Sequence, residues 1–381
     1  MLFLANLLLA ISRTPIVTAD VSTCKLPATD VGLSSGFGFA SGSIPSIGTV
    51  KAFMIFVDFP DAQDTGHPKA LQDVFLPEAQ DWFYTSSFGQ MNLTVQSDTA
   101  GFIRMPATSS SYGWQRGLTY ESHRRYIQDA VNAYQGGFPQ VDILYIVPSS
   151  RAKAISFSPE FSNSVTTESG VKISSRAVTF GMDAYDSWRY KVLNHETGHA
   201  LGLPDMYPLP TGATELYVGG WNLMGNINGI SPDYFGWDKW RLGWVPNDKV
   251  NCLSGQGTTT HILSPIEVLT GANLKLVVIK ISDTTALVVE VRSNLGVNKD
   301  SCSMGVLIYQ IWTNRSTGKA PFQVINANPT VAGCGTSPLN AAPLTLGHGK
   351  ASSYTVPGLG ITVTLLEVSV EQDYTIQIRV A

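Results

Sequence analysis

Two histidines four residues apart are the chemically most informative feature of the sequence. Residues 194–205 read N-H-E-T-G-H-A-L-G-L-P-D, so His195 and His199 share one face of a helix and can bind one metal ion between them. Glu196 lies beside the first histidine, where it can accept a proton from a metal-bound water. The spacing therefore predicts a catalytic metal site with Glu196 as its general base.

Asp205 is the predicted third ligand. Gly202 can adopt the left-handed backbone conformation that ends a helix, which would let the chain fold back towards the histidines. A glutamate on a later helix is the rival ligand, but Glu215 lies in a loop-like segment, and Glu267 and Glu290 lie in strand-like ones. Two histidines and one carboxylate leave the fourth position of Zn²⁺ to water, as in catalytic sites. The chemistry predicted is peptide-bond hydrolysis without a covalent intermediate.

Composition narrows the class of protein. The chain has 381 residues, enough for two domains or one large one, and its 44% apolar content permits a packed core. Only 14% of residues are charged and the formal net charge is −4, whereas Gly, Ser and Thr are plentiful. This balance is typical of a secreted protein with long loops and many strands. Because basic residues are few, we expect no nucleic-acid partner.

The N-terminus predicts a signal peptide over residues 1–19. Residues 1–12 are almost wholly apolar but too short to span a bilayer, and residues 17–19 offer the small side chains that a signal peptidase reads. The alternative is a buried N-terminal segment. No later stretch is long and apolar enough for a membrane helix, so we expect a secreted, extracellular protein without a membrane anchor. Asn92 and Asn314 begin sequons for N-glycosylation, which makes a glycoprotein the expectation.

Four cysteines follow this segment: Cys24, Cys252, Cys302 and Cys334. None belongs to a C-x-x-C pair, and an even number in a secreted chain indicates two disulfides. Three pairings are possible, of which we favour Cys302–Cys334, a local loop, together with Cys24–Cys252. In the alternative, Cys24 would be a removable thiolate ligand that keeps the zinc latent.

Hydrophobic patterns predict an α+β fold. Strands are expected over residues 50–59, 91–96 and 141–148, and helices over 71–84, 120–134 and 187–203. Asp186 or Ser187 can cap the last helix, which contains the motif. Part of the polar segment 156–178 is expected to form an edge strand over the active-site cleft.

The last third of the chain has a different pattern. Short segments rich in β-branched residues predict an antiparallel sandwich or an extended sheet. We therefore divide the chain into a signal peptide (1–19), an N-terminal loop or short leader (20–49), a catalytic domain with a mixed sheet and an active-site helix (50–250), and a β-rich, sandwich-like domain (251–381). The predicted strands of this last domain are 274–281, 286–291, 306–311, 361–368 and 374–380.

Several segments between residues 50 and 311 resemble the immune-inhibitor-A type of secreted zinc metallopeptidases. The zinc motif is also similar to that of snapalysin, which shares H-E-T-G-H and G-L-P-D but has a much shorter chain. The matching pieces are F-V-D-F-P-D (56–61), W-F-Y (82–84), S-F-G-Q (87–90), the motif at 195–205, L-M-G (223–225), the segment 237–244 that ends in L-G-W, V-V-E-V-R (288–292) and G-V-L-I-Y (305–309).

The resemblance implies a metzincin-like catalytic domain with zinc at His195, His199 and Asp205 and with Glu196 as base. In metzincin-type enzymes a methionine turn lies beneath the zinc site, and Met224, between Asn and Gly, is the residue here; the alternative is an ordinary core methionine.

Structural calcium (Ca²⁺) is a further implication of the resemblance. Asp58, Asp61 and Asp64 are candidate ligands, although an Asp-rich turn after a strand needs no ion. Bacterial members of the family often carry long propeptides and extra modules, so activation and targeting do not follow from the resemblance.

We expect a zinc metalloendopeptidase that acts as a monomer on protein or peptide substrates. The alternatives are a secreted zinc-binding protein without proteolytic activity and a binding module in which the β-rich region contacts a partner. Tyr207, Tyr217 and Tyr234 all lie near the motif in sequence, and any of them could donate a hydrogen bond to the transition state.

Overall fold

The computed structural model describes residues 17–39, 41–186, 188–347 and 349–381 and has an α+β fold. Residues 1–16 of the predicted signal peptide lie outside the described residues. The last three residues of that predicted peptide, Val17–Ala19, form a strand that pairs with Cys252–Ser254. In these ranges, no helix has both the length and the apolar character needed to cross a membrane.

Helices and strands are mixed along the chain up to residue 200, and strands dominate after residue 250. The helices are α1 (Lys69–Gln72), α2 (Glu78–Ser86), α3 (Tyr120–Ala133), α4 (Tyr190–Ala200) and α5 (Gly236–Arg241). The strands are β1 (Val17–Ala19), β2 (Gly48–Asp58), β3 (Met91–Ser97), β4 (Ile103–Arg104), β5 (Ile143–Pro148), β6 (Glu160–Phe161), β7 (Val165–Thr166), β8 (Lys172–Ser174), β9 (Arg176–Thr179), β10 (Val250–Ser254), β11 (Gly257–Leu263), β12 (Leu276–Lys280), β13 (Thr285–Arg292), β14 (Gly305–Trp312), β15 (Phe322–Val324), β16 (Ser353–Val356), β17 (Ile361–Val368) and β18 (Tyr374–Val380).

The first sheet, here called the parallel sheet, has the order β3-β2-β5-β9-β6, with β4 pairing β2. All its pairs are parallel except β6–β9. Strand β6 is the edge strand predicted within 156–178, and the structure shows that it is antiparallel. Strand β2 is apolar on both faces because helices cover both: Met54 and Phe56 face α2 and α4, whereas Phe53 and Ile55 face α3.

Two helix predictions need correction. The helix expected over 71–84 is two helices, because Pro77 has no backbone N–H to donate and stands at the start of α2 rather than inside a helix. The motif helix runs from 190 to 200, not from 187 to 203. Its first residue is preceded by Arg189, at φ +46°, and no side chain caps it, so the proposed cap at Asp186 is wrong; Ser187 lies outside the described residues.

The last third forms two sheets that share one core. The central sheet has the order β1-β10-β12-β13-β14-β15 and the outer sheet the order β11-β18-β17-β16. Val277 and Ile279 of β12 pack against the outer sheet, while Leu276 and Val278 pack against α4, α5 and the parallel sheet. The sandwich-like prediction holds for the two packed sheets, but β10 pairs with β12 in parallel, so the arrangement is not wholly antiparallel.

The cysteines form the two disulfides that the sequence favoured, Cys302–Cys334 and Cys24–Cys252. The second bond ties the segment 20–47 to β10 of the central sheet. Because Cys24 is bonded to Cys252, it is not a thiolate ligand of a latent metal site.

A buried arginine links the central sheet to the segment that follows the motif. The Arg292 guanidinium is fully buried and donates from Nη1 to Tyr234 O (3.1 Å) and to Glu290 Oε1 (3.2 Å), and from Nη2 to Trp221 O. Glu267 Oε1 lies 3.8 Å from Arg292 Nε, and Glu267 is also buried. These buried charges are stable only as a set, because each carboxylate would otherwise lack a counterion.

We predict that Arg292→Met lowers the free energy of unfolding by about 3–5 kcal/mol, since it leaves Glu290 and Glu267 buried without a cation. Arg379→Met, on the exposed face of β18, should change it by less than about 0.5 kcal/mol. Urea denaturation of both variants measures the difference. Equal stabilities would show that the buried charges are not needed.

Candidate metal centre

Helix α4 presents both motif histidines to one cavity. The rings of His195 and His199 stand one turn apart, with centroids separated by 4.9 Å. Leu193 and Ala200 pack in the core on the other side of the helix. The helix is therefore held on its apolar side, which fixes the direction of the two imidazoles.

The chain reverses direction directly after α4. Gly202 has φ +96°, and its N–H donates to His199 O (2.8 Å), while the N–H of Leu203 donates to Gly198 O (2.9 Å). These two bonds are the pair that terminates a helix at a left-handed residue. The predicted break at Gly202 is present, and it brings Asp205 back to the histidine face.

Asp205 Oδ1 lies 3.2 Å from Nε2 of His195 and 3.2 Å from Nε2 of His199. Tetrahedral ligands at 2.0–2.1 Å from zinc are about 3.3–3.4 Å apart, so these spacings match a tetrahedral ion. Oδ1 is buried and accepts no hydrogen bond from the described residues. The donor set and the orphaned oxygen both fit Zn²⁺.

Backbone carbonyls orient both rings. His195 Nδ1 lies 2.9 Å from Leu223 O, and His199 Nδ1 lies 2.8 Å from Leu203 O. A carbonyl can only accept, so each Nδ1 carries a proton and Nε2 is the atom left to face Asp205. Burial lowers the pKa of His199, but Asp205 more than offsets this and raises it to about 10.

Glu196 is buried at the edge of the ligand group. Its Oε1 lies 4.0 Å from His195 Nε2, and no donor of the described residues hydrogen-bonds to the carboxylate. Burial raises the pKa of Glu196 to about 7, against the opposing effect of the two histidines. A carboxyl group with this pKa can both accept and return a proton near neutral pH.

Met224 is buried and packs against α4 at Gly198. Its backbone N–H donates to Asn222 Oδ1 (2.8 Å), and its carbonyl accepts from the N–H of Met206 (2.9 Å). Gly198 lies directly above it: a Cβ there would be 2.5 Å from Met224 Sδ and 2.8 Å from Tyr234 Oη. The small residue allows the turn to approach the helix between the two histidines.

A cavity of about 390 Å³ opens over the site. Glu160 of the edge strand β6 forms part of its wall and makes a buried ion pair with Arg176 of β9, at 3.6 Å. The lining residues are Leu33, Arg116, Gly117, Phe157, Ser158, Pro159, Glu160, His195, Glu196, His199, Asp205, Tyr207, Leu209 and Thr317.

Of the three tyrosines left open by the sequence, Tyr207 lines this cavity. Its ring centroid lies 6.4 Å from that of His195. Tyr234 is fully buried and donates to Asn194 O (3.0 Å), which engages its hydroxyl elsewhere. Tyr217 does not line the cavity.

Sequence reasoning missed Leu33, Arg116 and Thr317. Each reaches the cavity from a loop far from the motif in the chain. No periodicity or spacing marks them, because their proximity arises only from the packing of the whole fold.

The three aspartates proposed for calcium accept bonds from protein donors. Asp58 accepts from Arg104 Nε (2.6 Å) and Nη2 (2.9 Å), and Asp61 accepts from the backbone N–H (2.7 Å) and hydroxyl (2.9 Å) of Ser109. Asp64 accepts from a serine hydroxyl and a backbone N–H. In the described part of the chain, one group of potential metal ligands converges, namely His195, His199 and Asp205. The three aspartates do not form such a group, so calcium binding stays a prediction.

Three of the remaining histidines, His67, His123 and His261, do not join the centre. His123 is buried and its Nε2 lies 2.8 Å from Thr179 Oγ1, and His261 contacts Asn251 and Thr259. His67 accepts from the N–H of Lys69. His348 lies outside the described residues.

A comparison of the chain with models of protein families finds no match, and a comparison with curated proteins finds no match either. What identifies the centre is its own geometry. Three ligand atoms converge within 4.8 Å of one another beside a buried carboxyl group.

We predict that Gly198→Ala lowers both the melting temperature and the zinc affinity, because the new Cβ must displace Met224 and the Tyr234 hydroxyl. The destabilisation expected for such overpacking is about 1–3 kcal/mol. Gly101→Ala is the matched control, since its Cβ meets no atom within 4 Å. Thermal unfolding with and without zinc measures the effect, and identical curves for the two variants would contradict it.

Proposed function

We propose that the protein is a secreted, zinc-dependent endopeptidase with Glu196 as general base. The observation that carries this proposal is the convergence of His195, His199 and Asp205 around one point, with the Glu196 carboxyl group beside them and without a hydrogen-bond donor to it among the described residues. Catalytic zinc sites have three protein ligands and one open position, whereas structural sites are closed by four. The resemblance to immune-inhibitor-A-type peptidases agrees with this reading.

The chain's own residues suit the reaction. Zinc, when bound, lowers the pKa of a water molecule and polarises the substrate carbonyl. Glu196, buried beside the ligand group, is placed to accept the proton of the attacking water and to return it to the leaving amine. Burial and the nearby carboxylates raise the pKa of Tyr207, so its hydroxyl stays protonated and can donate to the substrate oxygen.

Two disulfides support action outside the cell. Such bonds persist in oxidising compartments and are rare in the cytosol. Both sequons are accessible for modification, because Asn92 and Asn314 are exposed. Secretion and glycosylation are therefore part of the proposal.

The proposal predicts that Glu196→Gln folds and binds one zinc per chain but loses peptidase activity by about 10²–10⁴-fold, because the amide cannot accept the proton. Glu371→Gln, in an exposed turn remote from the cavity, is the control and should retain full activity. The assay is incubation with casein, with and without a zinc chelator, followed by mass spectrometry of the products.

Full activity of Glu196→Gln would eliminate Glu196 as the base. If the wild-type protein binds zinc but cleaves no denatured protein, the alternative of a zinc-binding protein without proteolytic activity is favoured instead. Loss of cleavage in chelator, restored by added zinc, separates the proposed chemistry from a contaminating serine protease.

A further inference from the structure

A loop of the central sheet contacts the third ligand directly. The loop joins β14 to β15, and Thr317 within it is 112 residues from Asp205 in sequence. The Thr317 hydroxyl accepts from the Asp205 N–H (2.8 Å) and lies 3.2 Å from Asp205 Oδ2, to which it can donate. The N–H of Gly318 donates to Asp205 O (2.9 Å). Three hydrogen bonds thus join this loop to the backbone and side chain of one residue.

These bonds determine which carboxylate oxygen is offered to the metal. Because Oδ2 is engaged by the Thr317 hydroxyl, Oδ1 is the oxygen that faces both Nε2 atoms, at 3.2 Å each. A donor to the outer oxygen also opposes rotation of the carboxylate about its Cβ–Cγ bond. Partners of this kind, behind the ligands themselves, commonly set ligand orientation and metal affinity.

The loop is held firmly enough to position a ligand. The Arg315 guanidinium stacks 3.6 Å from the Trp312 ring centroid and donates to Ala320 O (3.1 Å), which braces the loop from within. The N-terminal segment braces it from outside, since the hydroxyls of Ser34 and Ser35 donate to Thr313 O (2.7 Å) and Trp312 O (2.9 Å).

We propose that Thr317 is the positioning residue for Asp205, and that the central sheet, with the N-terminal segment behind its loop, completes the metal centre. This inference rests on the proposed function in assuming that His195, His199 and Asp205 bind zinc. It assigns to the C-terminal region a role in the chemistry itself: the motif between residues 195 and 205 supplies the ligands, and residues beyond 250 hold one of them in place.

The test removes the hydroxyl and keeps the shape. In the full-length Thr317→Val protein, the zinc dissociation constant, measured by competition with a chromophoric chelator, should rise about 10–100-fold. Thr317→Ser keeps the hydroxyl and should restore affinity to within a few-fold of the wild type. The visible spectrum of the cobalt-substituted protein should change in Thr317→Val and not in Thr317→Ser, because it reports the geometry of the ligands.

Thr313→Val is the matched control, because the Thr313 hydroxyl is buried in the same loop without a hydrogen-bond partner among the described residues. It should leave zinc affinity unchanged. If Thr317→Val binds zinc with the affinity of the wild type, the inference is overturned, even if the melting temperature of the variant falls. In that case, chelator-sensitive peptidase activity of the wild type would still leave the proposed function intact. Absence of zinc binding in the wild type would overturn both.

Discussion

The reversal of the chain after α4 is the constraint on which the site depends. His195 and His199 point from a helix, and the third ligand must come back to the same face within a few residues. A left-handed residue makes that reversal here, and Gly202 provides it at φ +96°. A side chain there would also meet the Phe39 ring, 2.7 Å from its Cβ. Glycine is thus required both for conformation and for space, and the position of Asp205 follows from it.

The surroundings of α4 include strands that are far from the motif in the chain. The helix lies between the parallel sheet and the central sheet, and both contribute to one core. Arg292 of the central sheet binds the carbonyls of Trp221 and Tyr234, which flank the turn that carries Met224. Desolvating these charges is unfavourable unless every partner is in place, so the network favours one arrangement of the turn over others. The floor of the site is therefore set by strands far from the motif.

Local patterns in the sequence predicted those parts of the molecule in which residues of one type recur at a short, regular spacing. The i, i+4 histidines, the two-sided apolar strand β2 and the helix α3 all belong to this class. The break at Pro77 was missed because apolar spacing continued across it, although proline itself was the available signal. Thr317 and Arg116 could not be predicted, because a contact between distant segments has no local pattern. The prediction of a cap at Asp186 is wrong because α4 begins directly after Arg189, a strained residue, and has no capping side chain.

The division between motif and surroundings also applies to the chemistry. His195, Glu196, His199 and Asp205 form a polar group, whereas much of the cavity wall around them is apolar, with Leu33, Phe157, Pro159 and Leu209 contributed by other segments. Among the wall's charges, Glu160 is already paired with Arg176. Burial raises the pKa of Glu196 to about 7, while the two histidines act in the opposite direction. The surroundings of the predicted base Glu196 are therefore contributed largely by side chains that lie outside the motif.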